Sequence, residues 1–89
     1  MDTSRTLDLR LSGRPAPDEV ARLCALLDAA EPGDVLCEIG GLDGAGLAAV
    51  DALARLRLAA RRRGHRLTFR GAGPELRALL DFAGLGDLL

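Results

Sequence analysis

Three short apolar segments with strand spacing, each followed by a stretch with helical spacing, restrict this chain more than any other feature. "TLDLRL", residues 6–11, alternates strictly: Leu7, Leu9 and Leu11 point to one face, Asp8 and Arg10 to the other. That is the pattern of a half-buried strand. "VLCEI", residues 35–39, is a near-continuous apolar run, as expected of a strand with neighbours on both sides. "RLTFR", residues 66–70, alternates again.

The intervening segments read as turns and helices. "SGRPAP" (12–17) is a turn, with Pro17 suited to a first helical position. "DEVARLCALLDAA" then sets its acids in the first turn and Val20, Leu23, Cys24 and Leu27 on one face. "EPGD" (31–34) breaks that helix. A second helix is expected over about residues 46–63, stopped by Gly64 with Arg61, Arg62 and Arg63 in its last turn. Pro74 opens a third, "ELRALLDFA", which Gly84 stops. The order β-α-β-α-β-α predicts a small α/β domain with a mostly parallel sheet of three to four strands and right-handed crossovers. Residues 6–89 are expected to form this single domain, after a disordered N-terminus at 1–5. No internal repeat, linker or low-complexity segment interrupts it.

A chain of 89 residues can build one compact core. Hydrophobic residues make up 48%, yet only Phe69 and Phe82 are aromatic, so that core must be leucine, valine and alanine. The net charge is −1, so no global field attracts nucleic acid or a membrane surface. All 12 basic residues are arginine, a bias that suggests a GC-rich genome. The first residues lack the apolar core of a signal peptide. No apolar run approaches the roughly 18 residues that a membrane span needs. Cys24 and Cys37 fall in helical and strand patterns and are expected as buried, reduced thiols. A cytoplasmic location is the default expectation.

"IGGLDGAG" (39–46) could suggest a phosphate cradle, since it is Gly-rich and joins a strand to a helix. A dinucleotide site needs G-x-G-x-x-G and an acid about 20 residues on; here nothing acidic follows Asp51 until Glu75. A P-loop needs Lys and Ser/Thr after its last glycine, where this chain has Leu47 and Ala48. The glycines are therefore read as backbone freedom and close approach. Catalysis has little to work with. The hydroxyl residues are Thr3, Ser4, Thr6, Ser12 and Thr68, and the lone His65 is expected to be solvated beyond a helix end. Asp43 and Asp51 lack metal-ligand neighbours. No enzymatic activity, metal or cofactor is expected.

Two stretches carry a family resemblance. "LSGRPAPDEVARL" resembles the strand-turn-helix opening of STAS domains, the family of sulfate-transporter tails and anti-sigma-factor antagonists. "GHRLTFRGAGPELRALLDFAGLGDLL" resembles the family's ending: a glycine, a strand, a turn with Pro, a helix and a terminal Gly-Leu. The resemblance as a whole covers residues 6–89, nearly the whole chain. The resemblance implies a non-enzymatic interaction module. Many anti-sigma-factor antagonists carry Asp-Ser-Ser/Ala-Gly-Leu at the start of the second helix, and its first serine is phosphorylated by a kinase-type anti-sigma factor to break their complex. Here Asp43-Gly44-Ala45-Gly46-Leu47 imitates the motif by eye, while counting back from Gly64 places it on Gly46-Leu47-Ala48-Ala49. The acceptor position is Gly44 or Leu47, and no hydroxyl lies between Ser12 and Thr68. By this resemblance the stretch is expected to begin after the strand that opens most members and to end before their last strand and helix. It resembles a trimmed, degenerate member.

The second helix shows where a partner would sit. Ala49, Val50, Leu53, Leu56 and Ala60 are expected to face the sheet, while Leu47, Ala54 and Leu58 form a second apolar stripe flanked by Asp51 and Arg55. A surface helix with one core needs one stripe. The partner-binding residues are therefore expected to be Asp43, Gly44, Gly46, Leu47, Ala48, Asp51, Ala54, Arg55 and Leu58. By resemblance the partner is an anti-sigma factor or a related kinase-fold regulatory protein. The alternatives are the ATPase of a lipid-transport ABC system, or a second copy of the chain in a structural homodimer. The arginine run (Arg55, Arg57, Arg61, Arg62, Arg63, Arg66, Arg70) has no interleaved aromatics, so it reads as a solvated helix end paired with acids rather than a nucleic-acid patch. No membrane insertion is expected.

Overall fold

The computed structural model describes residues 6–42 and 46–88. The elements are β1 (Thr6–Gly13), α1 (Pro17–Ala29), β2 (Asp34–Leu42), α2 (Leu47–Arg63), β3 (Arg66–Arg70) and α3 (Pro74–Phe82), then a 3₁₀ turn at Gly86–Leu88. The three strands run parallel in the order β1-β2-β3, with β2 central as its apolar run implied. Among the described residues the sheet therefore has three strands, the lower end of the expected range.

The register sets out the sheet in rows. Leu7, Val35 and Leu67 form one row, and Leu9, Cys37 and Phe69 the next on the same face. These rows, with Leu11 and Ile39, meet Leu27, Leu53, Leu56, Leu76 and Leu80 in a single core. Sequential parallel strands with right-handed crossovers bring α1 and α2 to one side of the sheet. The rows between, Thr6-Asp34-Arg66, Asp8-Leu36-Thr68 and Arg10-Glu38-Arg70, form the other face and are exposed or half-exposed. The strict alternation of β1 and β3 is thus the signature of a sheet covered on one side. Between Arg10 and Ser12 the register of β1 against β2 shifts, because Ser12 pairs with Gly41 where an unbroken ladder would use Gly40. At the same end Gly71 adopts φ +90°, and a Cβ there would sit 3.0 Å from the Gly40 nitrogen. Glycine is required at this close approach of two strand ends.

The helix ends obey local chemistry. α1 opens on Pro17, with Asp18 and Glu19 in its first turn. α2 closes in a Schellman turn: Gly64 takes φ +84°, its N–H reaches Arg61 O, and the His65 N–H reaches Ala60 O. The last carbonyls of α1 are satisfied from that same turn. Arg63 Nε donates to Ala30 O at 2.9 Å, and His65 Nε2 lies 2.7 Å from Leu27 O. A carbonyl only accepts, so Nε2 bears the proton. His65 is 9% exposed, which corrects the expectation of a solvated residue. The physical reason is the Schellman turn itself, which folds the residue after its glycine back onto the helix end.

Candidate protein-interaction site

α2 is the central helix of the covering layer. Ala49, Leu53, Leu56 and Ala60 are buried against the sheet, with Val50 half-buried beside them. Ala52 and Ala59 are also buried. Their small side chains suit close approach to α1, and the Cys24 thiol lies 3.7 Å from the Arg55 carbonyl. On the opposite flank Arg57 donates to Gly84 O at 2.8 Å and meets Asp87 at 3.3 Å, tying α2 to the chain beyond α3. Both flanks and the core face are thus occupied within the domain.

The outer surface of α2 is not. Leu47 is 85% exposed and Leu58 59% exposed. Ala54, the third residue of the expected stripe, is half-buried and packs on the core. The outer apolar surface is therefore Leu47 and Leu58, with Gly46 and Ala48 also exposed. Asp51 and Arg55 lie on this surface, joined by a 2.8 Å ion pair one turn apart. The hydrogen bond and charge of Asp51 raise the Arg55 pKa above its ordinary value, so it stays cationic. Asp43 and Gly44 lie outside the described residues.

Beside this surface a groove of about 640 Å³ runs between α1 and α2. Pro17, Ala21, Cys24 and Ala25 line one wall; Ala48, Ala52 and Leu58 line the other. Asp28 and Arg62 meet at 3.6 Å across one part of the rim, and Asp51 and Arg55 form another. The α1 wall was missed by sequence reasoning. Its signal was present: alanines four apart in each helix (21 and 25, 48 and 52) let two backbones approach and leave a shallow channel.

The groove holds no activated nucleophile. Desolvation, then the Asp28 charge, raises the Cys24 pKa. Cys37 lies in the core, where burial pushes its thiol up to about 12. Neither favours the reactive thiolate, and both cysteines are free. Among the described residues no cluster of three or more His, Cys, Asp or Glu could hold a metal ion. Five arginines of the run are engaged structurally: besides Arg55, Arg57, Arg62 and Arg63, Arg66 lies 3.8 Å from Asp34.

Comparison with protein families identifies the family. The family model described as "Mlab, STAS domain" matches residues 2–89. The chain belongs to the STAS domain family. Comparison with the curated proteins and with the solved structures returns no match. STAS domains are generally non-enzymatic interaction modules, consistent with a site made of apolar side chains and ion pairs. No described helix of this STAS domain is long and apolar enough to cross a membrane.

Proposed function

We propose that this STAS domain is a non-enzymatic docking module in the manner of an anti-sigma-factor antagonist. It binds an anti-sigma factor or related kinase-fold regulator through the outer surface of α2, and so releases a sigma factor. One observation carries the reading: Leu47 and Leu58 stand exposed on a helix whose other faces are all packed within the domain. Large apolar side chains beside an alanine-lined groove favour contact with a partner over contact with water. Leu47 and Leu58 act as anchors, and Asp51 and Arg55 set polarity at the rim.

Binding is competitive and works without a serine switch. The switch segment carries no hydroxyl in either register, so no phosphate can be placed there to break the complex. The STAS subunits of lipid-transport ABC systems dock on an ATPase, and the same surface would serve that role.

The test is capture from the native cell extract with the full chain as bait, identification of the captured protein, and the intact mass of the bait. A kinase-fold anti-sigma factor on unmodified bait supports antagonism without a phosphate switch. An ABC ATPase moves the domain to lipid transport. Phosphorylated bait, or no partner at all, contradicts the reading.

A further inference from the structure

The sheet has an unpaired outer edge at β1 among the described residues. Among the described residues β1 pairs only with β2, so its far side presents backbone N–H and C=O groups along the strand. Such an edge is a template for another strand, and proteins normally blunt it with proline, charged side chains, a bulge or a cover; the β1–β2 register shift falls at the far end of the strand, between Arg10 and Ser12. β1 contains no proline, and its two charged residues, Asp8 and Arg10, are of opposite sign. Both are exposed, and neither enters an ion pair among the described residues.

We propose that two copies of this chain associate through β1, antiparallel and edge to edge, with Leu9 of one opposite Leu9 of the other. In that register Asp8 of each copy faces Arg10 of the second copy, Thr6 faces Ser12, and Leu7 faces Leu11. Residues opposite one another in a ladder share a face. The charged pairs therefore meet on the open face; on the core side Leu9 and Leu11 are already covered within each copy, at 5% and 0% exposed, so the charged pairs carry the register. Opposite charges and Thr–Ser pairs directly across a ladder are stabilising, and like charges are destabilising. Sliding by two residues would set Asp8 against Asp8 or Arg10 against Arg10. Sliding by one would bring leucines against charges and turn the faces over. The strand has one favourable self-register.

β3, the other edge, shows the contrast. Paired with itself about Thr68, it would place Arg66 opposite Arg70 in both halves of the ladder. Like charges thus protect β3 from the arrangement that β1 favours. Pairing through β1 alone is isologous and closes at two copies, giving a continuous sheet with the helices of both copies on one side.

The test is the mass of the full chain by sedimentation equilibrium from micromolar to millimolar concentration, for wild type, Asp8→Arg, Arg10→Asp and the double exchange. Both side chains are exposed, so thermal unfolding of all four proteins is expected to agree at concentrations where all are monomeric. Wild type is expected to rise from 9.3 kDa toward twice that mass. Each single variant sets like charges face to face on both sides of Leu9 and is expected to weaken the dimer about tenfold or more. The double exchange restores opposite pairs and is expected to restore the dimer. Wild type that stays monomeric overturns the proposal. So does a dimer that ignores the single variants, a double exchange without rescue, or a mass that grows without limit.

Discussion

At the scale of single residues, two buried groups do work that their types do not announce. His65 donates to Leu27 O and so satisfies the end of α1 from the end of α2. Its Nδ1 is buried without a partner among the described residues. His65→Ala removes the donor, leaves a buried carbonyl unpaired and opens a cavity. It is expected to lower stability by about 2 kcal/mol, read by denaturant unfolding. Cys37 makes a second residue-level prediction. Its thiol ionises near 9.0 when exposed, but only at about 12 in the fold. The folded state therefore holds a proton that the unfolded state has lost, so stability is intact below pH 9 and falls as pH rises toward 12. Lysine and tyrosine are absent, so the thiols dominate this window. Cys37→Ala is expected to flatten the alkaline limb of the unfolding free energy against pH, although its baseline stability is lower. An equally steep limb in the variant would show that the thiol is not its source.

At the scale of elements, the sequence was legible where a pattern repeats and opaque where partners come from far along the chain. The alternation in β1 and β3, the apolar run in β2, and Pro17, Gly64 and Pro74 marked every strand and α-helix among the described residues to within about three residues, the 3₁₀ turn at Gly86–Leu88 excepted. Helical periodicity alone separated Leu47 and Leu58 from the core arc. It misplaced Ala54, because the flank of α2 that carries Ala54 is covered by the core and not by water. It also misplaced His65, since the carbonyl that claims it belongs to a residue 38 positions earlier. The α1 wall of the groove was invisible for the same reason: two helices make it. One element-scale prediction concerns the start of α2. Gly46 holds the N-cap position with extended backbone and no side-chain cap, and a Cβ there meets nothing. Gly46→Ser is expected to supply the missing acceptor and raise stability by about 0.3 kcal/mol in thermal or denaturant unfolding. A loss of stability would mean that the turn needs glycine for its own backbone.

At the scale of the whole molecule, the one-sided sheet divides the protein into two surfaces with separate roles. The helical layer carries the α2 surface proposed for a partner and the groove beside it. The opposite face is mostly polar, and the β1 edge beside it carries the proposed self-pairing. Partner docking and self-association can therefore be broken independently, the first at Leu58 and the second at Asp8 or Arg10. The central claim is that exposed leucines on α2 hold a protein partner. The measurement that tests it most directly compares capture by wild type with capture by Leu58→Asp, with thermal unfolding of both. Leu58 is 59% exposed, so the substitution is expected to abolish capture while shifting the unfolding midpoint by no more than about 2 °C. Undiminished capture by a folded Leu58→Asp protein would contradict the claim, and loss of the fold would show that Leu58 serves the core instead.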